Sequence, residues 1–193
     1  SNKNMESIKI GKQEWASVNL NIDHFSNGDK IQQIESSKDW LKCLDNKTPA
    51  WCYYDNNSSN GNIYGKLYNC YAVLDSRKIA PDGWHIPTDK EWDELIGFSG
   101  GSSKAGKLLK SSSGWTEEGN GINSHSFSAL PGGYRTPSQA EFKHSGKYGF
   151  WWSANQISEI NKSVWGYCFY PSDEIDKSGY GPSCGFSIRC IRN

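Results

Sequence analysis

The sequence predicts one α+β domain of 193 residues with two or three short helices and mostly antiparallel strands. Three observations lead there. Nine Trp, ten Tyr and seven Phe stand beside twenty Gly, which suits short strands, many turns and an aromatic core rather than a helical bundle. Helical periodicity is brief and confined to the first 110 residues, and strand-like stretches dominate from residue 127 onward. No internal repeat or linker divides the chain, which is long enough for one good core, so residues 1–193 read as a single domain.

The elements follow in order. "SIKIGKQEWASVNL" opens as a hairpin around Gly11-Lys12, with Ile8, Ile10, Trp15 and Val18 facing inward. In "SSKDWLKCLDN", Ser36 or Ser37 caps a short helix whose Trp40, Cys43 and Leu44 share one face. "DNNSSNGN" (55–62) reads as a solvated turn, because it lacks the spacing and terminal Glu of a calcium loop. "IYGKLYNCYAVLD" (63–75) reads as an aromatic, β-rich stretch. In "PDGWHIPTDKEWDELIGFSGG", Pro81-Asp82-Gly83 turns the chain and Thr88-x-x-Glu91 has the form of a capping box. A helix over 89–97 follows, with Trp92, Leu95 and Ile96 inward and Gly100-Gly101 ending it. "SSKAGKLLK" is a further short helix, and a Gly- and Ser-rich stretch spans 111–126. Strands are expected at 127–135, 148–155, 164–170 and 186–191.

Composition narrows the function classes. Twenty-one basic residues balance twenty-one acidic ones, which leaves no electrostatic footprint for nucleic acid. No apolar run approaches the roughly 18 residues of a membrane span, so direct membrane insertion is not expected. The opening "SNKNMESIKIG" lacks the apolar region of a signal peptide; either a leader was removed or the natural start lies near Met5. "GSSKAGKL" (101–108) nearly matches a P-loop, but Leu108 stands where the magnesium-binding hydroxyl belongs. Neither Gly-x-Ser-x-Gly nor Ser-x-x-Lys occurs, and His85, between Trp84 and Ile86, reads as a structural imidazole. The expectation is no catalytic residue, no metal and no cofactor. Six cysteines permit 15 pairings; disulfides and buried free thiols both stay open. Arg189 and Arg192 stand near Cys184 and Cys190, as a redox pair with lowered thiol pKa would require.

Several blocks together resemble a known family. "IKIGKQEW", "PAWCYYDNN", "YGKLYNCYAV", "GWHIPTDKEWDEL", "FSALPGGYR", "YGFWWSAN" and terminal "GFSIRCIRN" follow one another as in the Fibrobacter succinogenes major paralogous domain family. The Gly-Trp-x-x-Pro-Thr-x-x-Glu-Trp block is also similar to the formylglycine-generating sulfatase-modifying domain. The resemblance implies a C-type lectin-like domain, in which the termini pair, two helices pack outside and late irregular segments form the ligand face. Two departures stand out: Cys70 replaces a frequent Trp, and Ala80 stands where many members have a Cys, so any disulfide from that Cys is absent here. A formylglycine-type oxidase using Cys184 and Cys190 is the enzymatic alternative, but Cys184 is one residue out of that enzyme's spacing, which in a strand turns a side chain to the other face. The calcium-dependent lectin signatures are missing.

The irregular stretch "GYCFYPSDEIDKSGYGPSC" (166–184) falls in the implied ligand face, residues 155–184. Some members of this family and fold are variable proteins of diversity-generating retroelements, in which adenines of this segment are substituted. Asn codons of the AAC type changed in that way never yield Trp, Met, Lys, Glu or Gln. Gly166–Asp173 and Ser178–Ser187 contain none of the five, types that make up roughly a fifth of average sequence. The expected binding residues are therefore Asn155, Trp165, Tyr167, Phe169, Tyr170, Ser172, Asp173, Tyr180, Ser183 and Cys184, with the aromatics as anchors. The expected function is a non-catalytic recognition module or adhesin for a protein or glycan on another cell or surface. The family implies an extracellular or cell-surface place; a phage-borne or cytoplasmic one stays open. The alternative is a purely structural surface domain, with Trp165, Tyr167 and Phe169 alternating along one buried strand face.

Overall fold

The computed structural model describes residues 5–116, 118–158, 160 and 162–193. Residues 1–4 of the opening segment, Glu117 of the Gly/Ser-rich stretch, and Glu159 and Asn161 of the expected ligand face lie outside the described residues.

The opening hairpin forms as β1 (Ser7–Ile10) and β2 (Gln13–Ala16), with Ile8 opposite Trp15. The last strand, β12 (Ile191–Arg192), lies between β2 and β6 (Trp84–His85), so the two ends of the chain meet in one four-stranded sheet. Ile10 and Trp15 are buried as their alternation requires, but Val18 is 62 % exposed. The strand ends at Ala16, so the period of two no longer governs position 18.

Helix α1 (Ser37–Asn46) starts where the sequence places it, with Ser36 Oγ accepting from the Asp39 amide. It buries Trp40 and Cys43, while Leu44 is only half-buried. A small sheet follows from β3 (Gln32–Gln33), β4 (Ala50–Cys52) and β5 (Leu67–Tyr68). Two expectations fail between 55 and 75. The polar segment is a 3-10 turn and then α2 (Ser58–Tyr64), and the aromatic stretch holds α3 (Cys70–Val73). Both helices start on an asparagine: Asn57 accepts from the Ser59 amide and Asn69 from the Ala72 amide. With α4 (Asp89–Phe98) and α5 (Ala105–Leu109), the described residues hold five short helices rather than two or three.

The capping box of α4 is complete. Thr88 Oγ1 accepts from the Glu91 amide at 3.3 Å, and Glu91 Oε2 accepts from the Thr88 amide at 2.7 Å. Glu91 Oε1 and the Asn193 side chain each lie 2.8 Å from a ring nitrogen of His85, which ties the chain's end to the start of α4. Thr88→Ala is expected to cost about 1–2 kcal/mol, read as a fall in Tm of about 2–6 °C in a thermal melt.

The central sheet has five strands in the order β11 (Ile175–Tyr180), β10 (Val164–Phe169), β9 (Gly149–Gln156), β7 (Gly132–Arg135) and β8 (Phe142–Ser145). All its pairings are antiparallel except β7 with β9. Expected strand 127–135 begins only at Gly132, and 186–191 contributes isolated bridges at Gly185–Ser187 before β12. The middle of this sheet is buried on both faces. One face puts Trp151, Tyr167 and Phe169 against Trp92 and Leu95 of α4, Trp15 and Phe127. The other puts Phe150, Trp152, Val164 and Cys168 against Phe186, Ile188 and Tyr68. Arg189, itself buried, gives hydrogen bonds to Asn19 Oδ1 and to the carbonyls of Ala16, Ser17 and Phe127, and so joins the terminal sheet to the core.

Candidate ligand-binding face

The irregular stretch is a β-hairpin, β10 and β11 joined by a turn at 170–174. Its residues scatter over four environments. Tyr167 and Phe169 are fully buried on the α4 side. The Tyr167 ring stacks on Trp92 at 5.0 Å, and its hydroxyl lies 2.9 Å from both the Asp89 carbonyl and Asp93 Oδ1. Burial and then Asp93 push that phenol well above its ordinary range. Trp165, on the same face at the edge, lies half-buried under Lys177, whose Nζ is 5.0 Å from the ring and paired with Asp89 and Asp93. Asn155 Oδ1 accepts from the Asp89 amide at 2.8 Å and so belongs to the start of α4. Ser183 is buried and donates to the Pro137 carbonyl at 3.0 Å, and Cys184 is buried in the core.

These positions correct the expectation of a displayed segment. Tyr167 and Phe169 face inward because β10 pairs on both sides and lies in the middle of the sheet, so its alternation points into two cores rather than one core and solvent; Ser183 and Cys184, beyond β11, are buried as well. Ser172, Asp173, Tyr170 and Tyr180 remain at the surface or half-buried. The turn carrying Tyr170 is held from inside: Lys110, fully buried, donates from Nζ to the carbonyls of Tyr170, Pro171 and Ser172 at 3.1, 2.9 and 2.7 Å. Burial lowers that lysine to about 8. The near-P-loop is the turn that leads into α5, where the Gly106 amide donates to the Asp173 carbonyl.

Tyr170 and Tyr180 are two members of a larger surface. Ladder register places Lys143, Tyr134, Phe150, Cys168 and Asp176 in one row across the five strands. Around Phe150 lie half-buried rings: Tyr134 at 4.5 Å, Tyr148 at 6.3 Å and Tyr180 at 6.2 Å. Tyr148 contacts His144 at 4.7 Å and Tyr170 at 5.4 Å. The Tyr180 ring lies on Gly166, where any Cβ would stand 2.7 Å from it. Burial lowers His144, helped by Lys147 and Lys143, so the imidazole is neutral at pH 7. Burial raises Tyr134 and Tyr170, with Cys168 and Asp176 adding to the latter. The result is a face of neutral aromatic rings with phenol groups at its rim and Asp176 and Ser178 at one end.

A family model for the Fibrobacter succinogenes major domain matches residues 8–192. The chain belongs to the Fibrobacter succinogenes major domain family. The match runs from β1 into β12, so the tyrosine face lies within the family domain. No curated protein and no solved structure matches the chain.

In this Fibrobacter succinogenes major domain all six cysteines are free and buried. Burial pushes Cys52, Cys70, Cys168, Cys184 and Cys190 up to about 12, the opposite of an activated thiolate. Arg189 does not activate its neighbour Cys190; its charge is engaged by carbonyls and by Asn19. No group of three or more His, Cys, Asp or Glu able to hold a metal occurs among the described residues. Sequence reasoning missed Tyr134, His144, Tyr148 and Ser178. The signal that could have found them is the aromatic alternation in "YGF" beside "GGYR", read as neighbouring strands rather than singly.

Proposed function

We propose that this domain is a non-catalytic recognition module, a C-type lectin-like scaffold that presents the tyrosine face to a protein or glycan on another cell or surface, from an extracellular or cell-surface position. The observation that carries the reading is the grouping of half-buried Tyr134, Tyr148 and Tyr180 around one buried Phe150, with half-buried Tyr170 and exposed His144 joined to it through Tyr148. Rigid aromatic side chains supply contact area at low entropy cost, and their hydroxyls supply orientation. Pairing of the terminal strands supports the lectin-like scaffold.

The test separates binding from folding. Labelled domain is applied to intact cells and to glycan and protein arrays, with Tyr148→Ala and Tyr170→Ala as variants. Each is expected to weaken binding by about tenfold or more while Tm moves by no more than about 3 °C. Loss of stability without any bound target in the wild type would favour a structural surface domain, the reading that buried Tyr167 and Phe169 support. Diversification of the segment is compatible only with its outer positions, since random substitution at Tyr167, Phe169 or Cys184 would open or overfill the core.

A further inference from the structure

We propose that the β11 end of the tyrosine face receives a basic side chain of a protein partner, with arginine the preferred one. This rests on the recognition reading of the same face and names its partner's chemistry. A recess opens beside Tyr170, lined by Ser102, Ser103, Tyr170, Glu174, Ile175 and Asp176. Tyr170 borders both the recess and the aromatic face, where it meets Tyr148 at 5.4 Å.

The charges in the recess are unanswered. Glu174, the last residue of the turn, and Asp176 of β11 both line this recess. Among the described residues no cation pairs with either. Among the described residues, Asp176 accepts only the Ser178 hydroxyl. Lys177 leaves the strand on the opposite face, where Asp89 and Asp93 hold it. Lys110 approaches from inside, and its three donors are taken by the carbonyls of the turn.

An incoming cation therefore meets two free carboxylates, two serines and the ring of a tyrosine that Lys110 holds in place. A guanidinium fits this lining better than an ammonium. Its planar fork bonds carboxylates in pairs and stacks on an aromatic ring, and it is the less strongly hydrated of the two. A neutral sugar would leave both carboxylates without their charge partner, and an acidic one would be repelled.

The test is an amide-shift titration of the isotope-labelled domain with N-acetyl-arginine methylamide. Shifts are expected at Tyr170, Glu174, Ile175 and Asp176, saturating with a dissociation constant on the order of 1–10 mM. The lysine analogue should bind about threefold or more weakly, and the uncharged citrulline analogue should move nothing. The double variant Glu174→Gln, Asp176→Asn keeps both shapes and should weaken the arginine response by about tenfold. Equal shifts from arginine and citrulline, or an unchanged response in the double variant, would overturn the proposal. Maltohexaose serves as the separating probe. Sugar-induced shifts at Tyr134, Tyr148 and Tyr170 with none from arginine would sink the arginine reading and leave the recognition reading standing. No response to any probe would also overturn it, the recognition reading then resting on the cell and array measurements alone.

Discussion

Tyr167→Ala is expected to lower stability by about 3–5 kcal/mol, the cost of emptying a large aromatic site in a packed core. The ring is fully buried against Trp92, Trp151 and Phe169, and its hydroxyl is engaged by Asp89 and Asp93. Loss on that scale is a large share of the total for a domain of this size. Tyr167→Phe keeps the ring and gives up only the hydroxyl's bonds, so about 1–2 kcal/mol should go. Urea unfolding of the two variants beside Tyr170→Ala checks the assignment. Tyr170→Ala should unfold close to the wild type, since its ring is half-exposed and its turn is held through backbone carbonyls by Lys110. A Tyr167→Ala protein as stable as the wild type would place that ring outside the core and return it to the ligand face.

Raising the pH past 9 is expected to lower the domain's stability. Five buried thiols have folded values near 12 against an ordinary 9, so between those values the unfolded chain holds fewer protons than the folded one. The thiols' contribution is then complete below pH 9 and falls as pH rises, by about 1.4 kcal/mol per pH unit for each thiol. Lys110 and Arg189 are lowered to about 8 and about 9, so their contribution rises with pH from those values upward, against the five thiols and the raised phenols of Tyr68, Tyr167 and Tyr180. The urea midpoint at pH 10 should lie well below that at pH 8. At pH 8, a thiol-reactive chromophore should label none of the six cysteines within minutes and all six once the chain is unfolded. A single fast thiol at Cys184 or Cys190 in the native protein would revive the oxidase alternative.

What the sequence determined by itself was whatever depends on near neighbours. The capping box at Thr88 and Glu91, the Ser36 cap, the inward Trp92, Leu95 and Ile96, and the strands around 149–156 and 164–169 are all set within one helical turn or one period of two. The caps at Asn57 and Asn69 were equally local but lay in stretches whose composition spoke for turn and strand. Only the tertiary structure decided which aromatics are core and which are surface. Tyr167 and Tyr170 are three residues apart in the same run, and nothing in their immediate sequence separates them. Tyr167 is buried because α4 covers its face of β10; Tyr170 is half-exposed because the strand has ended and Lys110 bends the chain away. Tyr148 meets Tyr170, and Tyr134 meets Phe150, only because β7, β9 and β10 lie side by side. Burial is a property of what lies across the ladder and above the sheet. Those neighbours are distant along the chain, so no local pattern encodes them.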